Sequence, residues 1–166
     1  MAADHDRAHG PGDDRPALPV DPDTPPRPLH RQPAALVWVF CGGIVGTGLR
    51  YMIEEAWPTT SGAWPWATFA VNLCGAFLLG ALLAGLAHLG SDEGWRQRTR
   101  LLVGTGVCGS FTTYSTFALE ISLLGRDGAV PTAIAYAVIS VVGGVVAAWS
   151  GIVLADIGFR RREVTT

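Results

Sequence analysis

The chain has 166 residues, enough for one compact domain, and its formal charge of −2 gives no basic excess that would favour nucleic acid. Only 16% of the residues are charged, and no charged residue occurs in the windows 56–91, 101–119 and 128–155. Each window can hold a helix of about 20 apolar residues, the length that crosses a bilayer. Composition therefore argues against a nucleic-acid-binding protein and predicts an all-α, polytopic membrane protein.

Residues 1–33 differ in composition from everything that follows. They contain eight of the eleven prolines, six aspartates and three of the four histidines, with few apolar side chains. Such a segment cannot bury enough apolar surface to offset the entropy of ordering, so we expect a disordered N-terminal tail. It has no apolar core, and a signal peptide is therefore not expected.

Four apolar segments are predicted to cross the membrane as one four-helix transmembrane domain. The predicted spans are residues 34–53, 65–89, 101–124 and 131–157, and a basic C-terminal tail of residues 158–166 follows them. The first span reaches full length only when Arg50 is included, since an arginine near a span end can extend to the headgroups. Gly42 and Gly46 share one face of that span and allow another helix to approach closely.

The third span carries an unusual segment, GTGVCGSFTTYSTFALE, from Gly104 to Glu120. Its glycines and threonines lower helix propensity, and we predict that the helix is broken at about residues 109–113, in the middle of the membrane. Such a break must be buried in protein, line an aqueous cavity or hold an ion, because lipid cannot satisfy the freed backbone groups. Close helix packing through small residues would explain the same composition, and the residues alone leave both interpretations open.

Polar side chains in the first two spans also allow two interpretations. Thr68 and Asn72 lie four residues apart on one face of the second span. They would form either an interhelical hydrogen bond or a set of donors facing a polar pathway. Arg50 would be either an anchor at the membrane surface or a functional cation, and its position alone favours the anchor.

The basic residues, all of them arginine, are distributed unevenly about the membrane. With four spans, the N-terminal tail, the connection 90–100 and the C-terminal tail share one side. That side holds ten of the twelve basic residues, whereas the other has Arg126, with Arg50 near the membrane edge. The positive-inside rule then predicts a multi-pass protein of the cell membrane with both termini in the cytoplasm.

Three motifs occur in order along the chain. They are GGIVGTGLRY at residues 42–51, PWATFAVNLCGAFLLG at 65–80 and the segment at 104–120. Together they resemble the fluoride channels of the CrcB/Fluc family, whose strongest signature is a glycine-rich run followed by Thr-Thr-Phe-Ser-Thr-Phe and a later Glu. The resemblance covers residues 36–154. It implies a passive, fluoride-selective channel that exports fluoride and lowers its cytoplasmic concentration, and no enzymatic activity.

The resemblance also implies an architecture and a set of site residues. The expected assembly is an antiparallel, dual-topology-type dimer in the lipid bilayer, with two pores and a structural sodium ion on the backbone carbonyls of Gly109 and Thr112. Arg50 would raise the local anion concentration, and Glu120 matches an acid at the pore mouth. N–H and O–H donors and aromatic ring edges replace the water around fluoride. Tyr114 and Phe117 match two family phenylalanines that present ring edges to the ion, and the donors expected in the pore are Asn72, Thr116, Tyr136 and Ser140.

Among the departures from the family pattern, two bear on function. Tyr114 stands in place of the first family phenylalanine, and its hydroxyl adds a donor and bulk, so rate or selectivity is expected to differ. The arginine asymmetry differs from the near balance that a homodimer inserting both ways requires. We therefore hypothesise that this chain is one half of a heteromeric pair, whose other member is a family protein of opposite topology.

Other functions are also compatible with four apolar spans. A small multidrug or cation exporter would need an acidic residue well inside a span, whereas the acids here lie near span ends. A non-conducting assembly subunit would fit the pairing hypothesis. An enzyme is not expected, because Ser115 and His88 are the only nucleophile–base pair within the spans, and they lie on different helices without an orienting partner.

Overall fold

The computed structural model describes residues 33–163, and in this part of the chain every regular element is a helix. Of the predicted N-terminal tail only Pro33 is described, so the expectation of disorder falls on residues outside this part. The elements are α1 Pro33–Ala56, α2 Trp66–His88, α3 Trp95–Thr99, a π-helical segment Arg100–Cys108, α4 Gly109–Phe111, α5 Tyr114–Arg126 and α6 Val130–Glu163. Since α6 extends beyond residue 157, the predicted basic tail begins as a continuation of the last helix.

Three helices of the described part are long and apolar enough to cross a membrane. They are α1, α2 and the portion Val130–Arg161 of α6, with mean hydropathies of 1.5, 2.1 and 2.2. By length and composition they mark the chain as a membrane-embedded, all-α protein. The segment predicted as the third span is divided among α3, the π-helical segment, α4 and α5, and none of these pieces alone has the length of a bilayer crossing.

Local sequence explains where the helices begin and end. Helix α2 starts directly after Pro65, a residue suited to a helix start because its ring fixes φ and it has no N–H to satisfy. Helix α5 ends at Arg126, and Gly128, two residues later, has a φ of +77° that favours glycine. The Ala129 N–H then donates to the Leu124 carbonyl at 2.9 Å, and the Gly128 N–H donates to the Gly125 carbonyl at 3.3 Å. This pair of bonds closes the helix and turns the chain at once into α6.

Helix α1 packs against the π-helical segment through two glycines. A Cβ atom on Gly42 would collide with the carbonyl oxygen of Leu102, and one on Gly46 would collide with the carbonyl oxygen of Val107. Backbone therefore lies directly against backbone, which only glycine permits. The predicted close approach along this face of the first span is confirmed.

Helix α2 packs along α6 in the same manner. A Cβ atom on Gly80 would collide with the carbonyl oxygen of Ala148, and one on Gly151 would collide with the carbonyl oxygen of Phe77. Each helix thus places one glycine directly against the backbone of the other. The described helices form two close pairs, α1 with the π-helical segment and α2 with α6. Helix α5 packs against α6.

The helical backbone stops at Phe111 and resumes at Tyr114. Between them, Thr112 has φ −75° and ψ 154°, and Thr113 has φ −144° and ψ 119°, so both residues are extended. The interruption lies at the C-terminal end of the predicted interval 109–113. Sequence reasoning did not predict the wider π-helical turns of Arg100–Cys108 that precede it.

Candidate functional site

The interruption is held by one side chain from the neighbouring helix. Asn72 of α2 accepts a hydrogen bond from the Thr113 N–H through Oδ1 at 2.8 Å and donates from Nδ2 to the Thr113 carbonyl at 3.1 Å. The amide thus pairs with both polar groups of an extended residue, as a neighbouring strand would. One Nδ2 hydrogen remains for another acceptor, because the amide carries two donors.

The start of α5 is capped by Thr113 itself. Its Oγ1 accepts a hydrogen bond from the Thr116 N–H at 3.1 Å, as N-cap threonines commonly do, and donates to the Thr116 Oγ1 at 3.0 Å. Thr116, predicted as a fluoride donor, therefore has its hydroxyl within this network. The Ser115 hydroxyl lies 3.2 Å from the same Thr113 oxygen.

These bonds redirect the donors that two carbonyls would have in a continuous helix. The Thr113 N–H would serve the Gly109 carbonyl, but it donates to Asn72. The Thr116 N–H would serve the Thr112 carbonyl, but it donates to the Thr113 side chain. Gly109 and Thr112 are the two residues predicted to hold sodium, and carbonyl oxygens are suitable ligands for a hard cation.

Thr112 fits closely against α2. Its Oγ1 donates to the Cys108 carbonyl at 2.9 Å, and the same carbonyl accepts the Thr112 N–H at 3.1 Å. Its methyl group occupies the space that a Cβ atom on Gly75 would need. Gly75 is therefore required for α2 to pass beside the extended residues.

A groove of about 400 Å³ runs along α2, the π-helical segment, α5 and α6. We call it the polar groove after its amide and hydroxyl groups; most of its lining surface is apolar, and no charged side chain lines it. Six of the predicted pore and sodium residues line the groove together. They are Asn72, Gly109, Thr112, Tyr114, Phe117 and Ser140.

Aromatic rings continue from the polar groove toward α6. Tyr114 and Phe117 have ring centroids 6.3 Å apart, and Phe117 and Tyr136 have centroids 5.3 Å apart. Tyr114 is 82% exposed in the single chain, although it lines the groove. The Ser140 hydroxyl is buried and has no hydrogen-bond partner within the described residues. The groove thus offers ring edges and a free hydroxyl but is open on one side.

Glu120 joins two further helices at the far end of this aromatic row. Its Oε1 accepts a hydrogen bond from the Thr68 hydroxyl and its Oε2 accepts one from the Tyr136 hydroxyl, both at 2.7 Å. Tyr136 is fully buried, and its hydroxyl is committed to Glu120 rather than directed into the polar groove. The sequence singled out Thr68 only because it lies four residues before Asn72, on the same face of the second span.

A second cavity lies on the other side of Glu120. It has a volume of about 370 Å³, and Thr116 and Glu120 line it together with the connection between α1 and α2. At its rim the Ser61 hydroxyl donates to Asp127 Oδ2 at 2.7 Å, which ties this connection to the end of α5. Glu120 therefore separates the aromatic row from a cavity that opens at the surface.

Arg50 does not line either cavity. It lies on α1, half-buried, and its Nε is buried without a hydrogen-bond partner in the described part of the chain. Oε1 of Glu54, one helical turn later, is in the same condition. The structure thus leaves this arginine apart from the groove residues that sequence analysis grouped with it. Among the described residues, no cluster of three His, Cys, Asp or Glu side chains is placed to bind a metal.

Polar side chains within apolar membrane helices commonly mark a substrate or ion pathway, so this groove indicates a membrane transport protein. Residues 37–152 match the family described as "CrcB-like protein, Camphor Resistance (CrcB)". Because the match spans most of the chain, this protein belongs to the CrcB family.

Relatives agree with this assignment. The chain is 44% identical over 121 residues to "Fluoride-specific ion channel FluC 1" of Cutibacterium acnes, covering 73% of this chain and 85% of the relative. It is 43% identical over 135 residues to "Fluoride-specific ion channel FluC 2" of Leifsonia xyli, covering 81% and 92%. It is 41% identical over 124 residues to "Fluoride-specific ion channel FluC" of Phenylobacterium zucineum, covering 73% and 94%.

Proposed function

We propose that this protein is a fluoride-selective passive channel that releases fluoride from the cell and lowers its cytoplasmic concentration. The observation that carries the proposal is the polar groove, which brings Asn72, Tyr114, Phe117 and Ser140 to one surface. The names of its relatives support the choice of ion. A protein of this kind catalyses no reaction.

The chemistry of the groove suits a small, strongly hydrated anion. A dry pathway must replace water with N–H and O–H donors, and here the second Nδ2 hydrogen of Asn72 and the Ser140 hydroxyl can serve. Ring edges carry partial positive charge, so Phe117 and Tyr114 can face an anion with their edges. The lining holds no cation, so the compensation for lost water must come from these donors and ring edges.

Glu120 defines the end of the proposed pathway. Its carboxylate aligns the Thr68 and Tyr136 hydroxyls by accepting a hydrogen bond from each. A fluoride ion arriving from the aromatic row would compete with the carboxylate for these two donors. Exchange of these bonds would let the ion pass toward the second cavity.

The transmembrane arrangement that we propose has four spans, the third of them broken in mid-membrane. Residues 101–124 would cross the bilayer as the π-helical segment, α4 and most of α5 together. Both termini would then lie in the cytoplasm, where the arginine-rich connection 90–100 and the end of α6 would also be found. Arg50 would stand apart from the groove and attract anions toward its entrance.

The open side of the groove calls for a second subunit. Tyr114 lines the groove but is 82% exposed, so in a single chain its hydroxyl would face lipid, which is unfavourable. A second subunit of opposite orientation would cover it and create two pores along the interface. The arginine asymmetry supports a different family member as this partner, because a chain so biased inserts in one direction.

Sodium fits the interruption as a structural ion. The Gly109 and Thr112 carbonyls have lost their helical donors to Asn72 and to the Thr113 side chain, so their oxygens are suitable for a hard cation. Bound sodium would supply positive charge that stabilises these carbonyls between two subunits. The Asn72 amide and the Thr113 cap would hold the extended residues in position for it.

Growth in fluoride tests the proposal and the pairing together. In cells that lack a fluoride channel of their own, we expect co-expression of this chain with a family member of opposite charge bias to restore fluoride tolerance, whereas this chain alone restores little. Tolerance conferred by this chain alone, with its termini found on both sides of the membrane, would contradict the pairing but not the channel. No tolerance under any pairing, with both proteins in the membrane, would contradict the channel.

A further inference from the structure

A small cavity of about 200 Å³ lies where α2 ends, on the side of the chain opposite to Glu120. We call it the α2-end cavity. Its apolar wall is formed by Leu83, Leu86 and Ala87 of the last turns of α2, and its polar rim by Arg96 and Arg100. Neither the polar groove nor the proposed fluoride pathway includes any of these residues.

Arg96 is held rigidly at the rim. Its Nη1 donates to the Leu89 carbonyl at 3.0 Å, its Nε donates to the Ser91 carbonyl at 2.5 Å and its Nη2 lies 3.4 Å from the Ser91 hydroxyl. The guanidinium stands over Gly90, whose φ of +110° favours glycine. All of these acceptors are neutral, so the guanidinium is fixed in place while its charge is not cancelled.

The other charges at the rim compensate each other. Arg100 forms an ion pair with Asp92 at 2.6 Å, with a further bond from Nε at 2.9 Å. Arg96 therefore supplies the net positive charge of the cavity. A planar guanidinium of this kind matches the oxygens of a phosphate group.

The apolar wall places the cavity at the surface of the membrane. Leu83 is 44% exposed and belongs to α2, which is apolar enough to cross a bilayer. Trp95 is exposed beside the rim, and the Arg96 guanidinium lies 6.0 Å from its ring centroid. Tryptophan favours the level of the headgroups. The apolar wall of the cavity thus faces lipid acyl chains, and its polar rim lies at the level of the headgroups.

We propose that the α2-end cavity binds one anionic phospholipid, with the phosphate on Arg96 and the upper acyl chain against Leu83 and Leu86. Basic pockets beside transmembrane helices select anionic headgroups, because an anionic lipid carries a net negative charge and a zwitterionic lipid carries none. The site is separate from fluoride conduction, and it would fix the connection between α2 and α3 to the membrane surface.

Native mass spectrometry of the detergent-purified protein tests this site with phosphatidylglycerol and phosphatidylcholine of equal chain length. We expect one phosphatidylglycerol to remain bound to each chain, and Arg96→Gln to reduce that occupancy about tenfold, as expected for loss of one charge-assisted contact. Arg98→Gln is the matched control, because it removes the same charge from the same short helix outside the cavity. Equal losses in the two variants, or equal retention of phosphatidylcholine, would overturn the proposal.

A second variant separates lipid binding from the support that Arg96 gives to the loop. Ala87→Phe leaves every arginine in place and fills the cavity, and we expect it to displace phosphatidylglycerol while fluoride flux is unchanged. Millimolar glycerol phosphate, which has the headgroup charge without acyl chains, should not compete. Retained lipid in Ala87→Phe, or displacement by glycerol phosphate, would show that the apolar wall has no part and would contradict a phospholipid site.

Discussion

At the scale of single residues, Asn72 determines how the chain passes the interruption. Its amide satisfies both backbone polar groups of Thr113, a buried residue that cannot turn to water. By taking the Thr113 N–H, it also separates the Gly109 carbonyl from its usual helical donor. One side chain thus stabilises the extended residues and leaves an oxygen available to an ion.

Asn72→Ala should therefore lower the stability of the fold and not only the rate of fluoride flux. The change removes two hydrogen bonds and leaves the Thr113 N–H buried and unpaired, at a cost of about 1–3 kcal/mol. The apparent midpoint of thermal unfolding in detergent would report the loss. Ser150→Ala is the control, since its hydroxyl bonds only the Val146 carbonyl of its own helix. Equal midpoints for the two variants would contradict the role of Asn72.

Phe117→Ile should abolish fluoride flux and leave assembly intact. Isoleucine keeps much of the volume but has no ring edge, and it also ends the contact between the Phe117 and Tyr136 rings. We expect a loss of flux of roughly tenfold or more. Phe40→Ile, on an exposed face of α1 away from the groove, should retain flux. Unchanged efflux from liposomes containing the Phe117 variant would remove the aromatic-edge mechanism.

Several residues that the sequence singled out line one groove in the structure, but their contacts were not predictable. The polar side chains of Asn72 and Ser140 within apolar spans, and the aromatic repeat that includes Phe117, are visible in the chain itself. The partners of Glu120 are not, because Thr68 and Tyr136 reach it from two other helices. The commitment of Tyr136 to a carboxylate, rather than to the groove, depends on how α5 packs against α6.

At the scale of helices, glycine sets the distance between partners. Gly46 places α1 directly on the Val107 carbonyl, whereas Gly48 of the same helix has open space around its Cα. The glycine-rich composition of α1 predicts close packing, but not which glycine makes the contact. The π-helical turns of Arg100–Cys108, which lie directly against the backbone of α1, were not predictable from composition either.

Two alanine substitutions in α1 should have opposite effects. Gly46→Ala forces α1 away from the π-helical segment, and we expect a destabilisation of about 1–3 kcal/mol. Gly48→Ala meets no neighbour and improves helix propensity, so stability should stay equal or rise by up to about 1 kcal/mol. Thermal unfolding of both variants decides the matter. A Gly46→Ala protein as stable as the Gly48→Ala protein would show that the close approach is unimportant.

At the scale of the whole molecule, the proposed sodium ion links the interruption to assembly. If the Gly109 and Thr112 carbonyls hold sodium between subunits, removing sodium should lower the stability of the assembled dimer. We expect the apparent midpoint of unfolding to rise with sodium concentration, by the equivalent of about 2.7 kcal/mol at a hundred times the dissociation constant. Potassium at the same ionic strength is the control. A midpoint that responds equally to both ions would contradict a specific sodium site.

Selective and passive movement of fluoride is the central claim, and efflux from liposomes tests it most directly. The purified chain, with a family member of opposite orientation, would be reconstituted, and release of fluoride and chloride would be followed with ion-selective electrodes. The account predicts that fluoride leaves down its own gradient without a coupled ion while chloride is retained. Chloride leaving as fast as fluoride, or fluoride retained with both subunits present, would contradict it.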